Sequence, residues 1–188
     1  VSIFLNSDEI REIRHKISLL KPIKKYGLGQ ETDVVNSDQE RIFDGYFSPE
    51  CFAVLHDVSK GQVIDSLLQR MSQGEDEQFV PKMKDLIEQR EMMSSIVFSD
   101  TVAVPHPIKA YANGHKIGVA LIPEGVVWSP EYPKIKLVFL PSPSIFGNEE
   151  LADLTSKIIL LLEQEELQKQ MINCQTFTDF KKLFLRIR

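Results

Sequence analysis

Cysteine is nearly missing from this sequence: Cys51 and Cys174 are the only two, far apart and in no C-x-x-C spacing. A pair so placed makes neither a disulfide framework nor a zinc site, and both read as buried thiols in a reducing compartment. Long apolar runs are missing as well. KIILLLE at 157–163 falls far short of the ~20 residues that a membrane span takes. No signal-peptide pattern opens the sequence, so cytoplasm is the expected compartment. Nor is there an excess of positive charge: 22 Lys and Arg against 27 Asp and Glu give a net charge of −5. A domain that grips DNA or RNA on its own carries a dense basic surface, and this composition excludes one. Repeats and low-complexity tracts are absent too.

What is present is ordinary for a globular chain, with 43% apolar and 26% charged residues over 188 positions. One main domain is expected, with an extra segment at one end. Residues 1–20 open with an apolar, strand-like piece; Ser7 or Asp8 then caps a helix bearing Ile10, Ile13, Ile17 and Leu20. A strand at residue 1 without a partner implies a preceding domain. Residues 21–47 are polar and irregular and read as a linker.

From residue 48 the pattern is more regular. CFAVLHDV is a strand, and Ser59 with Gln62 forms a capping box for a helix carrying Val63, Ile64, Leu67, Leu68 and Met71. A second helix spans Phe79 to Glu91. TVAVPHP is a short strand stopped by Pro105, and KIGVALI and KIKLVFL are apolar enough to lie centrally in a sheet. Asn148 starts a long helix through Leu162, and Thr176 with Asp179 caps a last one ending near Leu185. Interleaved strands and helices predict an α/β fold, a mixed sheet of about five strands flanked by helices.

Of the four histidines, His15 sits among basic residues on a helix face, His56 follows a strand at the core or an edge, and His115 lies in a turn. They make no metal constellation. His106 stands apart. It lies where a strand gives way to a loop, flanked by Pro105 and Pro107. Proline restricts its own φ and the residue before it, so the imidazole is presented from a stiff backbone. Such a segment is either a rigid turn or the seat of a nucleophile that another protein must meet.

The wider stretch REMMSSIVFSDTVAVPHP resembles the phosphorylation-site segment of enzyme IIA domains of the mannitol/fructose class of the bacterial sugar phosphotransferase system. Downstream, IGVALIPEGVVWSPEYPKIKLVFLPSPS is similar to the paired strands of that family, and residues 148–184 to its two closing helices. The resemblance covers residues 48–188. It implies a mannitol-type IIA fold and a phosphoryl relay in which the histidine takes the group from the small carrier HPr, or exchanges it with an enzyme IIB. No cofactor or metal is implied. Carried over by position, His106 is the acceptor, Arg90 clamps the phosphoryl oxygens, and Ser95 belongs to a pair of small hydroxyl residues. Arg90 is equally a helix-end cation favoured by the dipole, and Ser95 a hydroxyl bonding its own backbone.

Two positions depart from the pattern. Ile96 stands where a Thr is common, and Glu150 where transporter members carry a second histidine. Glu150 either orients the imidazole or occupies a first helical turn, where negative charge is favoured. Both changes weigh against fast onward transfer. The first residues, VSIFLNSDEIREIRHKI, are similar to the final strand and helix of the IIB-like domain of BglG-type antiterminators and LicR/MtlR-type activators. In those regulators phosphorylatable (PRD) domains precede IIB-like and IIA-like domains. The resemblance therefore implies a sensor domain of a transcription regulator whose partners include its neighbouring domains, with neither nucleic acid nor membrane contacted by this segment. A transport component that relays phosphate from HPr to IIB, and a silent IIA-fold binding module, are the rival readings.

Overall fold

The computed structural model describes residues 37–188. The expected strand, helix and domain tail in residues 1–20, with His15, lie outside the described residues, as does the linker up to residue 36. Helix α1, Ser37–Tyr46, comes first, then a 3-10 turn at Pro49–Cys51 and strand β1, Phe52–Val54. α2 (Lys60–Met71) and α3 (Phe79–Met93) follow, then β2 (Val102–Ala103), β3 (Lys116–Val126) and β4 (Ile135–Ser142). Three helices close the chain: α4 (Leu151–Leu161), α5 (Glu165–Ile172) and α6 (Phe177–Phe184).

The sheet has the order β1-β3-β4-β2, so it counts four strands among the described residues where about five were expected. β3 and β4 are antiparallel, while β1 runs parallel to β3 and β2 parallel to β4. The sheet is therefore mixed. The central stretches of β3 and β4, residues 117–122 and 137–140, are apolar because both faces are covered. Ile117, Val119, Leu121, Leu137 and Phe139 face α1, α4, α5 and α6, whereas Ala120, Ile122, Val138 and Leu140 face α2 and α3. Alternation along each strand divides the core into these two layers. At Gly118 a Cβ would stand 2.7 Å from the Met71 sulfur, so the absent side chain lets α2 lie close against β3.

The locally encoded starts are as expected. Ser59 Oγ accepts from the Gln62 amide while the Gln62 side chain takes the Ser59 N–H, and Thr176 caps α6 on the Asp179 amide. Three stretches differ, one of them Glu165–Ile172, which forms α5 as a third closing helix where two were expected. Residues 37–46, read as linker, form α1, and Phe43, Tyr46 and Phe47 are buried. Phe43 stacks on Phe47 at 4.5 Å between centroids and lies 5.3 Å from Phe184. The helix thus belongs to the domain, held by aromatic partners that lie more than 130 positions on. The helix expected from Asn148 begins at Leu151, because the Asn148 amide bonds back to both backbone groups of Ser144.

With β2 and β4 parallel and β3 opposed, one end of the sheet gathers the exits of β2 and β4 and the entry to β3. Residues 104–106 leave β2 at that end, and there Ala112 bridges Ser144 while the Ser144 hydroxyl donates to the Asn113 carbonyl.

Candidate functional site

His106 follows β2 and is fully buried. Two backbone anchors bracket it: the Val104 N–H donates to Ile96 O at 2.9 Å, and the Ile108 N–H to Leu86 O at 3.0 Å. A further bridge pairs Val97 with Ala103. The stiffness expected from the two prolines is thereby fixed to α3 and to the loop behind it.

Within that frame the ring is locked by its own strand. His106 Nδ1 lies 2.7 Å from Val104 O. A carbonyl only accepts, so Nδ1 carries the hydrogen and Nε2 holds the lone pair. Burial pushes the His106 pKa down to about 4, with the Arg90 cation acting the same way and the Val104 bond opposing both. At neutral pH the ring is an uncharged nucleophile.

Arg90 lies in the last turn of α3 and is 4% exposed. Its guanidinium donates to Ser94 Oγ at 2.7 Å and to Ser94 O at 3.1 Å. Its neighbour Glu91 pairs with Lys60. The Ser95 hydroxyl accepts the Val97 N–H at 3.2 Å, a turn within its own loop. Ser94 was not singled out in the sequence, although Arg90 and Ser94 are four apart and share a face once α3 is carried to Met93. Ile96 is wholly buried between the sheet and the helices α2 and α3.

Glu150 is not among these groups. It precedes Leu151 at the start of α4 without a capping bond, and its carboxylate takes weak bonds from Arg41 and the Tyr46 hydroxyl, both 3.5 Å. Tyr46 in turn stacks on His115, with centroids 4.1 Å apart. Glu150, Tyr46 and His115, with Ser144, Phe146 and Glu149, line a cleft of about 460 Å³. His56 sits exposed rather than in the core, pairing with Glu124 at 3.1 Å. Both cysteines are buried and free. Among the described residues no group of three or more His, Cys, Asp or Glu is arranged to hold a metal ion, and no helix is long and apolar enough to cross a membrane.

Residues 46–187 match the sequence model of the family described as "Phosphoenolpyruvate-dependent sugar phosphotransferase system, EIIA 2". The chain belongs to this family. A comparison with curated proteins finds no match. Among solved structures, the nitrogen regulatory protein IIA-Ntr of Neisseria meningitidis is similar with a TM-score of 0.59 at 14% identity, over 73% of this chain and 95% of that one. Mannitol IIA of Escherichia coli gives 0.58 at 17%, covering 73% and 97%. The Escherichia coli complex of mannitol IIA with phosphorylated IIB gives 0.59 at 17%, again covering 73% and 97%. At such identities the likeness concerns the fold, and it makes the mixed sheet of this EIIA domain that of mannitol IIA. α1 lies almost wholly ahead of the family-matched span, sharing only Tyr46 with it.

Proposed function

We propose that this EIIA domain accepts a phosphoryl group on His106 Nε2 and serves as the sensor of a sugar-responsive transcription regulator. The observation that carries the chemistry is the Nδ1–Val104 bond beside a buried arginine. In the transfer, the Nε2 lone pair attacks phosphorus in line, one N–P bond forms, and the bond to the donor breaks with its electron pair. Nδ1 keeps its hydrogen, so the positive charge that develops on the ring is met by the Val104 carbonyl. Arg90 neutralises charge on the equatorial oxygens in a site that excludes water.

The donor in this scheme is HPr or an enzyme IIB, the latter supported by the solved pairing of mannitol IIA with phosphorylated IIB. The regulator context rests on the resemblance of residues 1–17 to the tail of a IIB-like domain. It is supported also by Glu150, whose carboxylate is engaged by Arg41 and Tyr46 instead of offering a second imidazole. Phosphate brings a charge of about −1.5 to −2 at neutral pH, enough to change how a domain packs on its neighbours.

The test is labelling of the chain by phosphoenolpyruvate, enzyme I and HPr. Acid-labile label that disappears in His106→Ala supports the acceptor, and transfer onward to a IIB would turn the reading toward transport. One observation favours a second reading, a silent binding module: the ring is 0% exposed. A chain left unlabelled beside fully charged HPr and beside a phosphorylated enzyme IIB would decide for it.

A further inference from the structure

The acceptor role of His106 raises the question of what aims Arg90. A long guanidinium side chain left to itself samples many rotamers, and a clamp that must be ordered during reaction loses its advantage. Ser94 holds it here through two bonds. It terminates α3, with its N–H directed to Arg90 O at 3.4 Å. Its hydroxyl and carbonyl oxygens then both accept from a single Arg90 nitrogen, at 2.7 and 3.1 Å. The same loop is laced to the acceptor strand, since Ile96 O takes the Val104 N–H and Val104 O takes Nδ1 of His106. One continuous set of hydrogen bonds thus fixes the loop that holds the cation and the backbone that holds the nucleophile. The adjacent Ser95 hydroxyl accepts the Val97 N–H.

We propose that Ser94 is a positioning residue for phosphoryl transfer at His106, its two oxygens holding the Arg90 guanidinium where the phosphoryl oxygens arrive. The inference rests on the acceptor role above and adds to it a residue that touches neither donor nor phosphorus.

The experiment uses the whole chain and HPr, or an enzyme IIB, phosphorylated beforehand, with kcat and KM for label transfer measured on wild type, Ser94→Ala and the isosteric pair Ser94→Thr and Ser94→Val. Loss of an electrostatic donor's alignment lowers rates by roughly tenfold or more. That loss is expected in kcat for Ser94→Ala and Ser94→Val, with KM for the phosphorylated donor nearly unchanged. Ser94→Thr should recover most of the rate. Thr and Val crowd the loop alike, so a difference between them reports the hydroxyl and not the fold. Equal kcat in Thr and Val, or an unimpaired Ser94→Ala, overturns the inference while leaving His106 as acceptor. A wild-type chain that takes no label from phosphorylated HPr or from a phosphorylated enzyme IIB removes the acceptor role itself and the inference with it.

Discussion

Burying the His106 ring is inexpensive while it is neutral and costly once it is charged. Its pKa falls from the ordinary 6.5 to about 4 in the folded chain. Between those values the unfolded chain holds the extra proton, so acid drives unfolding. The stability is intact above pH 6.5 and declines as pH falls toward 4, by about 3 kcal/mol at 1.36 kcal/mol per pH unit. His106→Gln should remove this component, so urea midpoints of wild type and variant are expected to diverge between pH 7 and 4.5. Parallel curves would mean that the ring is not dry. Arg90 contributes to the same shift, so Arg90→Gln should raise the His106 pKa, as followed by NMR titration of the ring. At this scale the sequence was only partly legible. His106 and Arg90 carried a motif, but the bonds from Arg90 to Ser94 depend on where α3 ends, which composition does not reveal.

At the scale of elements, signals contained within a few residues were readable and those completed from afar were not. The capping box at Ser59 and Gln62 lies wholly within four positions, and Ser59→Ala is expected to cost about 1 kcal/mol in chemical denaturation. α1 offers little local signal: it is polar on most sides and its apolar residues cluster at the end. Its stability comes from Phe43 and Phe47 against Phe177, Phe180 and Phe184. Exposed ion pairs join the same helices, Lys181 to Asp44 at 2.7 Å and to Glu40 at 3.0 Å. Such pairs contribute at most about 1 kcal/mol each, whereas truncating a buried Phe costs about 3–5 kcal/mol. Phe43→Ala should therefore lower the denaturation midpoint far more than Lys181→Ala; the reverse order would make α1 an electrostatic attachment.

For the whole molecule, the division of labour follows from the two core layers. α2 and α3 cover the sheet face that backs the Arg90 loop, while α1, α4, α5 and α6 cover the other. Removing residues 1–46 leaves almost the full family-matched span but uncovers the phenylalanines of α6. The truncated chain is expected to bind a hydrophobic dye and melt earlier while its His106 region stays folded. An unchanged melt would place α1 outside the cooperative unit. The sheet order was not written in any one segment, since β1 and β2 are short edge strands whose places depend on β3 and β4 between them.

The two ends of the described chain also meet. Lys157 Nζ reaches both Gln39 Oε1 and the Ile187 carbonyl, each at 3.4 Å. A short glycine-rich bridge from residue 188 to residue 37 would therefore close the domain into a ring with little strain. New termini at the exposed Pro130–Glu131 position would give a circular permutant in which α1 follows α6 directly along the backbone.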